Sequence, residues 1–236
     1  MHKPITTIKS FGCSFIFGTE LPDCPPNDNM PQASQLTWPA LMARQLDFEY
    51  RCCARPCAGN LEIMERVWDE TELQKSSFFV IGWTFIDRFS YISKKDRHHL
   101  NRWNTILPTD SDQRSQVYYK QIHAEYSDKL MNLLYIKTAI DILQQRHIPF
   151  IMTVMDDLIF DNRWNTSSVI NDLQSLVLPH ITFFENKTFL QWSHDNNYKI
   201  SPAWHPLESA HRAAADYMIT VVDKQKTNVP VQPVRV

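Results

Sequence analysis

Residues 77–83, SFFVIGW, form an unbroken apolar run of strand length. A strand whose sheet faces water on one side alternates apolar and polar residues. A strand with no such alternation is covered on both faces, which points to helices packed above and below a parallel sheet. Three β-rich stretches fit the same sheet: Ile5–Phe11 ending at Gly12, Phe48–Ala54 and Pro149–Met155. His180–Phe184 reads as a fifth strand. Segments with helical periodicity separate them. One begins at Thr37, with Pro39 in the first turn and Leu41, Met42 and Leu46 facing inward. In the next, Asn60 caps a helix carrying Ile63, Met64, Val67 and Trp68. Ser115–His147 keeps the period through Tyr119, Ile122, Tyr126, Leu130 and Leu143 without glycine or proline, as one long helix or two joined by a bend. Ser167–Leu176 and the stretch after Pro206, with Ala210, Ala214, Met218 and Val221 on one face, complete the set. Alternating strands and helices of these lengths predict a three-layer α/β/α fold.

The chain has 236 residues, 43% of them apolar, which is enough for one sizeable core. Residues 1–224 read as one domain, with a polar insertion or lid at 93–113 and an extended tail at 225–236. Lys plus Arg is 24 and Asp plus Glu is 26, a formal charge of −2, too balanced for a protein that grips a phosphate backbone. Nucleic acid is therefore not expected as a partner. No apolar run approaches the roughly 18 residues of a membrane span, and MHKPITTIKSFGCSF lacks the apolar core of a secretory signal. No membrane partner and a cytoplasmic location are the corresponding expectations; oligomeric state is left open. The five cysteines, Cys13, Cys24, Cys52, Cys53 and Cys57, are odd in number and lack a repeated Cys-x-x-Cys spacing, so they suggest reduced thiols, with no disulfide framework or zinc site.

Glycine is scarce. At the ordinary usage of about 7% the chain would hold about sixteen, and it holds four: Gly12, Gly18, Gly59 and Gly82. Three of them stand at or beyond the carboxyl ends of predicted strands, in Gly12-Cys13-Ser14, Ala58-Gly59-Asn60 and Gly82-Trp83-Thr84. Ligands of doubly wound sheets bind beyond the carboxyl ends of the strands. The same edge receives Trp204-His205-Pro206 from near the end of the chain. A serine, a histidine and several backbone N–H groups therefore converge.

At these residues the sequence resembles the SGNH (GDSL-like) hydrolase superfamily, and within it the SGNH-like proteins encoded by bacteriophages. FGCSFIFGTEL is similar to the first block, with Cys13 in place of the usual Asp; CAGN at 57–60 supplies the glycine of the second; IGWTFIDR keeps Gly82 of the third but has Thr84 where the family has asparagine; WHPLESAH carries the histidine of the fifth at His205. The blocks occur in the family's order and span most of the chain. The resemblance implies a parallel five-stranded sheet in the order 2-1-3-4-5 and hydrolysis of a carboxylic ester, as deacetylation or deacylation of a carbohydrate or other small acyl compound. Ser14 would be the nucleophile, forming an acyl-enzyme, and His205 its general base, with no cofactor and no metal. A serine hydroxyl needs an imidazole within hydrogen-bond reach to become an effective nucleophile. The oxyanion hole would come from the N–H groups of Ser14 and Gly59, with Asn60 or Thr84 in the asparagine's place.

The usual acid is missing: Pro202 and Ala203 stand three and two residues before His205, and neither can orient an imidazole. Either a dyad works slowly or another carboxylate substitutes, with Glu208 and Asp195 as the candidates. Cys13, Phe15, Trp83, Asp87, Arg88, Asp156, Asp157 and Trp204 are expected to line the pocket. Cys13 as an alternative nucleophile, and metal sites at Cys52, Cys53 and Cys57 or at Asp96, His98 and His99, are the weaker readings of those residues. His211 either faces solvent or packs. The rival functions are a binding or structural protein on the same fold with weakened catalysis, and a nucleotide-binding flavodoxin-like domain; the latter lacks any Gly-x-Gly-x-x-Gly or Walker loop after a strand.

Overall fold

A computed structural model describes residues 4–24, 32–71, 76–92, 103–165 and 167–227. In chain order the elements are β1 (Thr7–Phe11), α1 (Ser14–Phe17), α2 (Trp38–Gln45), β2 (Glu49–Cys52), α3 (Asn60–Thr71) and β3 (Ser77–Trp83). There follow a hairpin of β4 (Phe89–Ile92) and β5 (Trp103–Ile106), α4 (Gln113–Gln121), α5 (Glu125–Gln145) and β6 (Phe150–Val154). Then come α6 (Ser168–Val177), α7 (Phe189–Asp195) and α8 (Glu208–Thr227). The main sheet is parallel, in the order β2-β1-β3-β6.

Alternation along each strand divides the core between the two faces of the sheet, because successive side chains point to opposite sides. Phe11, Phe79, Ile81, Met152 and Val154 pack with Ile63 and Val67 of α3, Leu133, Ile136 and Ile140 of α5, and Ile170 of α6. Ile8, Phe78, Val80 and Ile151 pack on the other side with Trp38 and Met42 of α2 and Ala210, Ala214 and Met218 of α8. All seven residues of β3 are buried, as a strand covered on both faces requires. The α/β fold with helices on both sides of a parallel sheet is thus present, with four strands in the sheet where five were expected.

The missing strand has a local cause. Leu178–His180 forms a 3₁₀ turn containing Pro179, which fixes φ and has no N–H to give to a ladder. Phe184 and Lys187 then exchange backbone hydrogen bonds across Glu185 and Asn186, both at positive φ. Only Ile181 and Thr182 reach the sheet, through an isolated bridge to Met152 in which the Thr182 N–H donates to the Met152 carbonyl at 2.7 Å.

The 115–147 stretch is two helices. The His123 ring bonds Asp128 at 2.6 Å, and Tyr119 donates to the carbonyls of Asp87 and Ile106, so α4 turns toward the hairpin before α5 begins. Ile122, read as an inward position, lies at the bend and is exposed. Within the predicted 93–113 insertion, 103–106 is a hairpin strand and the start of α4 closes the segment. Residues 93–102, with Asp96, His98 and His99, lie outside the described residues. Among the described residues no helix is long and apolar enough to cross a membrane.

His211 packs: it is buried, and its Nδ1 accepts the Trp38 N–H at 3.1 Å, tying α8 to the start of α2. Burial, reinforced by the positive potential of nearby His205, lowers its pKa from 6.5 to about 3. The folded protein keeps this ring neutral where the unfolded chain would protonate it. Its contribution to stability is therefore complete above pH 6.5 and is lost as the pH falls from 6.5 toward 3. Urea unfolding at pH 6.5 and pH 5 should show about 2 kcal/mol of lost stability from this group, and His211→Gln, which keeps an acceptor but does not titrate, should remove that part of the slope. Parallel slopes for the two proteins would refute the assignment.

Candidate active site

β1 delivers the chain to the carboxyl edge of the sheet, where Gly12 passes so close to β3 that a Cβ there would lie 2.8 Å from the Gly82 carbonyl oxygen and 2.6 Å from Ile16 Cγ1. Cys13 is fully buried in the core and serves as the N-terminal residue before α1. This leaves Ser14 as the first residue of a one-turn helix, nearly buried. Its N–H donates to no acceptor among the described residues. The helix ends at Gly18, in the left-handed conformation at φ 85°, whose N–H donates to the Ser14 carbonyl at 2.8 Å. The chain is thereby turned back, and Glu20, also at positive φ, follows two residues on.

From the other end of the sequence, Ile200 and Pro206 bridge the two sides of a turn. The Ser201 N–H donates to the His205 carbonyl at 2.9 Å, and the His205 N–H donates to Ser201 Oγ at 3.1 Å. The imidazole packs edge-on against Phe15 at 5.2 Å between centroids. Its Nε2 lies 2.9 Å from Ser14 Oγ, and its Nδ1 lies 2.5 Å from Glu20 Oε2. The same carboxylate oxygen accepts the Ser201 hydroxyl at 2.5 Å. A carboxylate only accepts, so Nδ1 carries the imidazole proton and the Nε2 lone pair faces the serine hydroxyl. Burial pushes the Glu20 carboxyl up, but the hydrogen bonds from Ser201 and His205 and the attraction of the imidazole outweigh it, so its pKa lies below the usual carboxylate value. The geometry is that of a serine–histidine–carboxylate relay.

Glu20 is the carboxylate that meets the His205 ring, a position the sequence reading did not assign to it, and among the described residues neither proposed acid bonds that ring. Glu208 pairs with Arg212 one turn along α8 at 2.5 Å. Asp195 pairs with Lys187 and lies 3.3 Å from its neighbour His194. The available signal was local. Gly18 turns the chain straight after Ser14, and Glu20 is the first carboxylate beyond that turn.

Of the expected oxyanion donors, the Ser14 N–H is free of acceptors among the described residues, whereas Gly59 and Asn60 are committed elsewhere. The Gly59 N–H donates to Ser90 Oγ of the hairpin at 3.1 Å, and a Cβ on Gly59 would collide with that oxygen at 2.4 Å. Asn60 does not cap α3 with its side chain. Its Oδ1 accepts the Thr84 N–H at 2.8 Å, and its Nδ2 donates to the Thr84 carbonyl at 3.0 Å and to Asn132 Oδ1 at 2.6 Å. The Thr84 hydroxyl is buried and has no hydrogen-bond partner among the described residues.

The predicted pocket residues divide. Phe15 packs against His205, and Trp204, next to it in the chain, is exposed and lines a cavity with Ile200 and His194. Trp83 is buried in the core with Phe79 and Ile81, on the side of the sheet covered by α3 and α5. Asp156 accepts the N–H groups of Ile86 at 3.1 Å and Leu158 at 3.0 Å, and burial raises its pKa. Asp157 accepts the Gln191 amide at 2.7 Å. Arg88 lies over the Phe85 ring at 5.2 Å, and Asp87 lines a separate cavity of about 250 Å³ with His123, Asp128 and Lys129. Among the described residues no group of His, Cys, Asp or Glu is arranged to hold a metal ion.

No protein-family model matches the sequence, and no curated protein matches it. Solved structures do. A carbohydrate esterase family 2 enzyme with a carbohydrate-binding domain from Corynascus thermopiles (Myceliophthora fergusii) aligns over 94% of this chain and 66% of its own, at 14% identity and TM-score 0.53. The psychrotrophic esterase EstA of Pseudoalteromonas sp., in a structure inhibited by monoethylphosphonate, aligns over 94% and 100%, at 11% identity and TM-score 0.51. The acetyl xylan esterase Est2A of the rumen bacterium Butyrivibrio proteoclasticus aligns over 96% and 66%, at 9% identity and TM-score 0.51. The chain therefore spans about two thirds of the length of the first and third of these proteins, and shares their fold.

Proposed function

We propose that this chain is a serine ester hydrolase that removes an acyl group from a carbohydrate or similar small acceptor through an acyl-enzyme on Ser14. The observation that carries the reading is the continuous set of contacts Ser14 Oγ to His205 Nε2 at 2.9 Å and His205 Nδ1 to Glu20 at 2.5 Å. In the forward step Nε2 takes the hydroxyl proton while Oγ bonds to the ester carbonyl carbon. The imidazolium then gives that proton to the departing alcohol, leaving the acyl group on Ser14. Water, deprotonated by the same nitrogen, releases the acid and restores the serine. Glu20 remains ionised throughout, holding the ring in the required tautomer and balancing its transient charge. The carbonyl oxygen, negative in the intermediate, is received by the Ser14 N–H. The Gly59 N–H joins it if Ser90 gives way. A hydrogen bond to a charged group is worth about 1.5–3 kcal/mol against about 1 for a neutral pair, so the developing oxyanion favours that exchange, and Ser90 keeps its bond to Thr105 at 2.9 Å.

A second reading has its own support. The engaged Gly59 N–H and the committed Asn60 amide suit a protein of this fold that binds its ligand and hardly turns it over. One experiment separates the two. Incubated with a fluorophosphonate, the hydrolase should be labelled at one phosphonyl group per chain, and Ser14→Ala should take up none. Folded protein that resists labelling, or labelling that persists in Ser14→Ala, rejects the hydrolase reading.

A further inference from the structure

Trp204 is the most exposed of the large hydrophobic residues described, with 67% of its surface accessible. It also sits at φ 66°, in the left-handed region that bulky L-residues avoid. The backbone conformation costs stability. Outliers of this kind, held in place by their surroundings, collect at ligand sites. What holds Trp204 is the turn that sets His205: its N–H donates to the Ser201 carbonyl at 3.0 Å, and Ser201 in turn bonds Glu20. The indole is therefore displayed by the same few residues that orient the imidazole.

The indole forms one wall of a cavity of about 500 Å³, with Ile200 and Leu190 as apolar lining and Lys187, Gln191, His194 and Asp195 as its polar residues. The charges there are matched internally: Lys187 pairs with Asp195, and His194 lies against the same carboxylate. An ionic ligand would have to break that pairing. A neutral, polyhydroxylated ligand would not, since it can lay an apolar C–H face on the indole and share the donors and acceptors already present.

We propose that Trp204 and this cavity form a subsite for a neutral pyranose ring, holding a glycan so that an acyl group on it, or on a neighbouring sugar, reaches Ser14. The proposal rests on the ester hydrolase reading for its purpose, though binding can be measured without turnover. Cellohexaose and xylohexaose are titrated into full-length Ser14→Ala protein by calorimetry, and into the same protein carrying Trp204→Asn or Trp204→Phe. Asparagine tolerates left-handed φ, and phenylalanine keeps an aromatic face. At least one oligosaccharide should bind saturably, with affinity at least tenfold weaker in Trp204→Asn and largely kept in Trp204→Phe. With Ser14 present, Trp204→Asn should lower the ratio of kcat/KM for acetylated xylo-oligosaccharide to that for p-nitrophenyl acetate at least tenfold. Failure of both oligosaccharides to bind, or equal binding by the asparagine variant, overturns the subsite. If the wild type hydrolyses no ester while oligosaccharide binding still depends on Trp204, the subsite stands and the hydrolase reading falls.

Discussion

Ser14→Ala and His205→Ala should each reduce kcat on p-nitrophenyl acetate by roughly 10⁶-fold, and the double variant should lose no more than either alone. The equality follows from the 2.9 Å contact between the two side chains. Without the imidazole the hydroxyl keeps its proton at neutral pH, and without the hydroxyl the imidazole has nothing to activate but water. Each removal disables the same step, so the losses do not multiply. Stability should change little by comparison, since a deleted hydroxyl forfeits one hydrogen bond worth about 1 kcal/mol. Independent, multiplying losses in the double variant would mean that the two residues serve different steps, and the relay would have to be abandoned.

How much of this was legible in the sequence depends on the range over which each feature is determined. The run at 77–83 announces a doubly covered strand because burial on both faces leaves no alternation to disguise, and β3 has those bounds. The 115–147 helix keeps its period through Ile122, yet the chain breaks there, because the break is held by the bond from Tyr119 to the distant Asp87 carbonyl and by a His123–Asp128 contact that apolar periodicity does not register. His180–Phe184 has strand composition, but Pro179 and the Phe184–Lys187 turn leave only Ile181 and Thr182 free to pair.

The site divides in the same way. Gly12, Ser14 and His205 stand at element ends where spacing makes them visible. Glu20 was not read as the carboxylate beside His205 because its placement depends on the left-handed turn at Gly18, which spacing alone does not display. The pairing of the Gly59 N–H with Ser90 depends on how a hairpin folds over α3, which composition does not reveal.

Glu20→Gln carries the other large effect, an expected loss of roughly 10³- to 10⁴-fold in kcat with the substrate KM nearly unchanged. The amide has the carboxylate's shape but not its charge. If its NH₂ faces Nδ1, it donates where the native oxygen accepted, so the imidazole proton moves to Nε2 and the lone pair no longer faces Ser14. If its carbonyl faces Nδ1, the tautomer survives but the imidazolium formed during attack loses its counter-charge. Glu208→Ala removes only an exposed pair with Arg212 and should leave kcat within about twofold, given the small contribution of surface ion pairs. The low pKa of Glu20 adds a directional test. A carboxyl held below 4.5 in the folded protein supports stability above that pH and loses the contribution as the pH falls through its folded value, so the difference in unfolding free energy between wild type and Glu20→Gln should narrow on acidification. Full activity in Glu20→Gln, or a constant stability difference from pH 7 to pH 3, would remove Glu20 from the relay and leave a serine–histidine dyad in its place.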